Sequence, residues 1–160
     1  MRIHFLILLG CLAISCGKQS HWAFDQIHSN KSEFCSTKLT YRSLDPAYGI
    51  NLEFLKTQDS LNTYLNVHSI PLKGKQKDVP LKIEIDGKVL RASAYRLAGG
   101  QRFLLPQETA NLLIDALKNG KEVSMTLVEY KTTFKPDDFS QKFEKLLHPL
   151  PIQNPFHLPF

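Results

Sequence analysis

The sequence predicts a β-rich α+β domain: a small antiparallel β-sandwich or half-barrel with two packed helices, at about residues 106–118 and 137–147. Three observations carry this reading. Apolar and polar residues alternate with period two in several short segments, the pattern of antiparallel strands with one wet face. Asp86-Gly87, a strong two-residue hairpin signal, lies between two such segments. Two later stretches change to the i, i+3, i+4 spacing of amphipathic helices.

The first alternating segment places Cys35, Thr37, Leu39 and Tyr41 on one face. Asp45-Pro46 and Gly49 mark a turn. Ile50, Leu52 and Phe54 then alternate with Asn51 and Glu53, and Leu61, Thr63, Leu65 and Val67 follow after a turn at Gln58-Asp59-Ser60. Pro71 to Pro80 reads as a solvated, proline-bounded loop carrying Lys73, Lys75 and Lys77. It has neither the residue order of a phosphate-binding loop nor a following helix to supply a dipole.

Folding the chain at Asp86-Gly87 pairs Ile85 with Lys88, Ile83 with Leu90 and Leu81 with Ala92. The apolar sets then match on one face, which fixes the register. The same register sets Lys82 against Arg91, an unfavourable pair unless an acid such as Glu84 lies between them.

Ala98-Gly99-Gly100 predicts a turn or bulge. Gly99-Gly100-Gln101-Arg102 also has the makings of an anion-binding turn, with Arg102 as the cation, although a structural turn explains it more simply. Pro106 starts the first helix, whose stripe is Ala110, Leu113, Ile114 and Leu117. Glu108 and Lys118 suit its two ends, and Asn119-Gly120 closes it. Val123, Met125 and Leu127 form a further strand. Its phase slips at Val128, which predicts a bulge or a strand covered on both faces. Pro136-Asp137-Asp138 opens the second helix, with Phe139, Phe143, Leu146 and Leu147 on its apolar face, and Pro149 stops it.

The chain begins with a charged, apolar, small-residue order: Arg2, then Ile3 to Ile14, then Ser15 before Cys16. That is the layout of a secretory signal, and the apolar run is too short for a bilayer-spanning helix of about 20 residues. Ala13-Ile14-Ser15-Cys16 resembles the lipobox of bacterial lipoproteins, which implies cleavage before Cys16 and a lipid on its sulfur. Leu8-Leu9-Gly10-Cys11 fits the lipobox pattern more closely but leaves a shorter apolar core, so Cys16 is preferred as the anchor. The resulting division is a signal peptide over 1–15, a lipidated cysteine and tether over 16–31, one globular domain over 32–148, and a Pro-rich tail over 149–160.

Loss of Arg2 with the signal leaves 19 basic against 15 acidic residues. This mild excess suits approach to an anionic membrane surface and falls far short of a nucleic-acid-binding stripe. With Cys11 removed and Cys16 lipidated, Cys35 is the only remaining thiol, so no intramolecular disulfide forms. Cys35 is then a buried apolar residue of its strand or, alternatively, a reactive or intermolecular thiol.

The six histidines include no HxxxH pair, and no CxxC occurs, so the usual zinc spacings are absent. Asp137-Asp138 is best explained by its place at a helix start. No GxSxG elbow links serine, histidine and acid locally. No catalytic residue, metal or cofactor is assigned. An enzyme reading would require a concave pocket gathering His68, an acid and a hydroxyl.

From Gly99 to Leu147 the order is a strand, a helix ending LLIDALKNGKEV, a polar alternating strand, and a short helix DFSQKFEKLL. This order resembles the C-terminal half of the invasion-associated locus B family of exported bacterial proteins. In that family the late helix usually starts with Gly-Phe, where this chain has Asp138-Phe139, and the family's paired cysteines are absent here. The resemblance implies an envelope role with contact to host or membrane.

The expectation is therefore a non-catalytic exported envelope lipoprotein that binds a protein or glycan partner. A secreted enzyme or enzyme inhibitor, or a structural component of an envelope assembly, is the alternative. The membrane partner is reached through the lipid on Cys16. The candidate contact residues are Lys73, Lys75 and Lys77 of the basic loop, and Phe156 and Phe160 of the tail.

Overall fold

The computed structural model describes residues 20–27, 29, 35–68, 74 and 76–149. The expectations for the signal segment, Cys11, Cys16, Lys73, Lys75, Phe156, Phe160 and residues 150–160 fall outside those residues.

The elements run β1 (Trp22–Ile27), β2 (Ser36–Tyr41), β3 (Ile50–Lys56), β4 (Leu61–Val67), β5 (Asp78–Ile85), β6 (Lys88–Arg96), β7 (Arg102–Leu104), α1 (Gln107–Lys118), β8 (Val123–Leu127), β9 (Tyr130–Phe134) and α2 (Phe139–Leu147). The strands form one antiparallel sheet in the order β1-β2-β3-β4-β7-β6-β5-β8-β9, which does not close into a barrel. The β-rich α+β class with two helices is the one the sequence predicts.

The two ends of the sheet are joined by side-chain and loop bonds instead of a ladder. The Ile50 amide donates to Thr132 Oγ1 at 2.7 Å, the Lys131 amide to the Tyr48 carbonyl at 3.0 Å, and the Tyr41 hydroxyl to the Thr133 carbonyl at 3.2 Å. Burial pushes the Tyr41 phenol above its ordinary pKa. Between these ends lies an aromatic cluster of Trp22, Tyr41, Phe54, Phe134, Phe139 and Phe143, into which α2 is seated. Burying each Phe of α2 is worth about 2–3 kcal/mol. Helix α1 buries Ala110, Leu113, Ile114 and Leu117 and meets α2 through a Lys118–Glu144 ion pair of 2.7 Å.

The β5–β6 hairpin has the predicted register, Ile85↔Lys88 through Leu81↔Ala92, with Lys82 opposite Arg91. Glu84 does sit beside Lys82, at 3.9 Å. Asp86 and Gly87 both have positive φ, 50° and 75°, as a two-residue turn that matches strand twist requires.

Four local expectations are corrected. Trp22–Ile27, assigned to the tether, is strand β1, and Trp22 is buried at 1% exposure. Its alternation covers only three inward positions, too few to register as a strand by pattern. Pro80 does not end a loop but lies inside β5, opposite Ser93. There its missing N–H faces the side on which β8 begins to pair only at Leu81. The phase slip at Val128 is neither a bulge nor a doubly covered strand: Val128 and Glu129 form the turn between β8 and β9, and β9 restarts the alternation with Tyr130, Thr132 and Phe134 buried. Cys35 lies just before β2 and is half-buried, with its sulfur 3.5 Å from the Ser29 carbonyl.

Asp138 is the N-cap residue of α2 but makes no side-chain capping bond. Its carboxylate instead pairs with Lys142 at 2.8 Å and accepts the Ser20 hydroxyl at 2.6 Å. The helix start is thereby tied to the chain just ahead of β1.

Candidate functional site

Alternation in β2, β3, β4 and β7 turns one set of side chains into the core and the other toward solvent. The register stacks the outward set in rows: Thr40, Glu53, Tyr64 and Leu104 in one, and Asn51, Asn66 and Arg102 in the next. Arg42 extends the second row beyond the end of β2, and His68 and Gln101 close it from the loops after β4 and before β7. Apart from Tyr64 and Leu104, these residues, with Lys38 and Val67, line a polar cleft of about 390 Å3 on the solvent face.

The cleft is organised around a fixed pair. Arg102 donates to Glu53, and its guanidinium lies 3.9 Å from the Tyr64 ring centroid, a cation–π contact. The Asn51 side chain accepts the Ser43 amide at 2.8 Å through Oδ1 and meets His68 Nε2 through Nδ2. Gln101 donates to the His68 carbonyl at 3.4 Å. Lys38 reaches Asp25 at 3.7 Å.

Four groups are left over, among them the buried Nε of Arg102, which has no hydrogen-bond partner among the described residues. Among the described residues, no acid pairs with Arg42 and no partner bonds the Asn66 amide. Thr40 is 9% exposed, and its hydroxyl has no hydrogen-bond partner. A buried polar group left unsatisfied costs about 1–3 kcal/mol, and this oxygen, closed to solvent, is not open to a ligand lying in the cleft.

His68, Glu53 and Thr40 line this one cleft, which is the gathering an enzyme reading requires. They are not linked to one another: the histidine nitrogen is taken by Asn51, the glutamate by Arg102, and the hydroxyl by no residue described. What the arrangement offers is amides and a guanidinium for hydrogen bonding, with cations in excess of acids.

Other concavities lie among the described residues: one, of about 260 Å3, is lined by His21, Tyr41, Leu44, Asp45 and Lys135, and two are larger. One, of about 320 Å3, is mainly apolar and lies where α2 ends, between Ile27, Cys35, Thr37, Lys56, Leu147 and Pro149. The other, of about 560 Å3, lies on the outer face of β6, β5 and β8, around Val89, Arg91, Lys82 and Val128.

Of the contact residues expected from sequence, Lys77 is exposed, and its carbonyl accepts the Arg96 amide at 2.7 Å. Gly99 and Gly100, with φ of 87° and 69°, make a structural turn, while Gln101 and Arg102 beyond it do join the polar cleft. Sequence reading missed Arg42, Asn51 and Asn66 as site residues. The signal for the two asparagines was amides at outward positions of neighbouring strands, which an ordinary wet face also shows.

Among the described residues, no group of three or more His, Cys, Asp and Glu is placed to hold a metal ion, and no helix is long and apolar enough to cross a membrane. Compared with protein-family models, curated proteins and solved structures, the chain gives no match.

Proposed function

We propose that this chain is an exported lipoprotein, held at the cell envelope by a lipid on Cys16, whose domain binds an acidic glycan in the polar cleft of β2, β3, β4 and β7. The address rests on the signal-like order of Met1 to Cys16. The binding role rests on one observation: Arg42 and Asn66, whose side chains have no partner among the described residues, line a single polar cleft with Asn51, Gln101 and Arg102.

The chemistry follows from the donors. Side-chain amides match the repeated hydroxyl groups of a sugar, and a guanidinium pairs with a carboxylate in two parallel bonds. The Arg102–Glu53 pair supplies a rigid floor already neutralised within itself. The domain acts by holding its ligand, and no bond of the ligand is broken.

The reading is tested on an array of acidic, neutral and basic oligosaccharides probed with the full chain. Uronate-bearing oligosaccharides are expected to be retained above neutral ones of the same length, with retention falling as salt is raised. Equal retention of neutral and acidic sugars, or none of either, contradicts it.

A further inference from the structure

We propose that the open edge of β6, over residues 89–93, takes up an acidic β-strand from a partner protein. This surface is separate from the polar cleft.

Eight of the nine residues of β6, Lys88 to Tyr95, pair with β5, but among the described residues β7 covers only Tyr95 and Arg96 on the other side. The direction of the remaining backbone groups follows from the turn. In a two-residue hairpin the residues flanking the turn, here Ile85 and Lys88, exchange hydrogen bonds, and such pairs alternate with non-bonded ones. Lys88, Leu90, Ala92 and Ala94 therefore spend their N–H and C=O groups on β5, while Val89, Arg91 and Ser93 aim theirs outward. The bonds seen at the far end agree: Tyr95 pairs outward with Leu104, and the Arg96 amide bonds inward to the Lys77 carbonyl. Val89, Arg91 and Ser93 thus present a template of alternate donors and acceptors to which no strand is paired among the described residues.

The side chains select the occupant. Val89 and Leu90 are 52% and 41% exposed, so the edge is apolar on both faces where an added strand would cover it. Arg91 lies directly opposite Lys82, and only Lys82 has an acid, Glu84, beside it. Like charges facing each other across a strand pair are destabilising, and an acidic side chain set next to Arg91 on an added strand removes that cost. A second copy of this chain paired antiparallel on the same edge about Arg91 would set Arg91 against Arg91, which the same rule disfavours. An extended segment with glutamate or aspartate on one face and small apolar residues on the other fits both faces.

The test measures anisotropy of two labelled, end-capped nine-residue peptides, one alternating glutamate and valine and one alternating lysine and valine, titrated with the full chain. The glutamate peptide is expected to bind at least tenfold more tightly. Ser93→Pro removes one outward N–H and leaves every charge and every β5 bond in place, so it should weaken binding at least tenfold while Ser93→Ala leaves it unchanged. Should Ser93→Pro fail to fold, Arg91→Glu serves, and it should reverse the preference between the peptides. Equal affinity for both peptides, no binding, or indifference to these substitutions overturns the proposal. Concentration-dependent dimerisation lost in Ser93→Pro does so too, because the occupant would then be a second copy.

Discussion

Trp22 of β1 donates its indole N–H to the Lys135 carbonyl at 2.8 Å, across 113 residues of sequence. The two ends of the sheet are not ladder partners; this bond holds β1 to the segment between β9 and α2, and the Tyr41–Thr133 contact holds β2 to β9. The same indole packs on Phe139 at 4.7 Å between ring centroids. Loss of the bond should therefore loosen both β1 and the start of α2. Trp22→Phe is expected to lower unfolding free energy by about 2 kcal/mol, from the lost hydrogen bond and lost ring area. Urea unfolding followed by circular dichroism measures it, and a change below a few tenths would show that the tie carries no weight.

Asp138 gives a pH signature. Burial alone would raise its pKa, but hydrogen bonds from Lys142 and Ser20, with the Lys142 charge, hold it below its ordinary 3.8. A carboxylate with a depressed folded pKa contributes stability that is present above its unfolded pKa and lost as pH falls through the folded one. Stability should thus drop as pH falls below about 3.8, and that part of the drop should vanish in Asp138→Asn. At neutral pH the substitution is expected to cost about 1 kcal/mol, the value of a partly exposed charge-assisted pair. Urea midpoints of both proteins at pH 7 and pH 3 decide it.

Val128 stands in a left-handed backbone conformation, φ 56°, with its side chain 61% exposed. That region costs an L-residue roughly 1–2 kcal/mol and glycine almost nothing, against roughly 0.5–1 kcal/mol of extra chain entropy for glycine. Val128→Gly should therefore raise stability by about 1 kcal/mol, read as an increase in Tm. A lower Tm would mean that the valine side chain is held by contacts worth more than the strain.

The anchor is tested by radiolabelled palmitate in cells expressing the wild type, Cys16→Ser and Cys11→Ser. Label is expected to disappear only with Cys16→Ser. Loss only with Cys11→Ser moves the anchor five residues upstream, and no label in any variant contradicts the lipoprotein reading.

What could be read in advance depended on how local the determinants were. The β5–β6 register needed only Asp86-Gly87 and the flanking alternation, so it emerged residue for residue. Helix α1 was equally local, and only its first residue moved, from Pro106 to Gln107. Strand β1 was hidden because Trp22 and Phe24 owe their burial to Tyr41, Leu39 and α2, all supplied by distant sequence. The turn at Val128 was hidden because a β-branched residue at positive φ violates the preference from which turns are recognised. The polar cleft is a property of strand order: Arg42, Asn66 and Arg102 are brought into one row only when β7 pairs with β4. Period-two alternation states that each faces solvent and is silent on which neighbours it has.

The binding claim is tested most directly by NMR of the full chain titrated with trigalacturonate, following the side-chain amide signals of Asn51, Asn66 and Gln101 and the guanidinium signals of Arg42. Shifts concentrated on these groups, and abolished by Arg42→Gln, are the predicted result. Saturating trigalacturonate that leaves all four unmoved, or moves only residues outside the cleft, contradicts it.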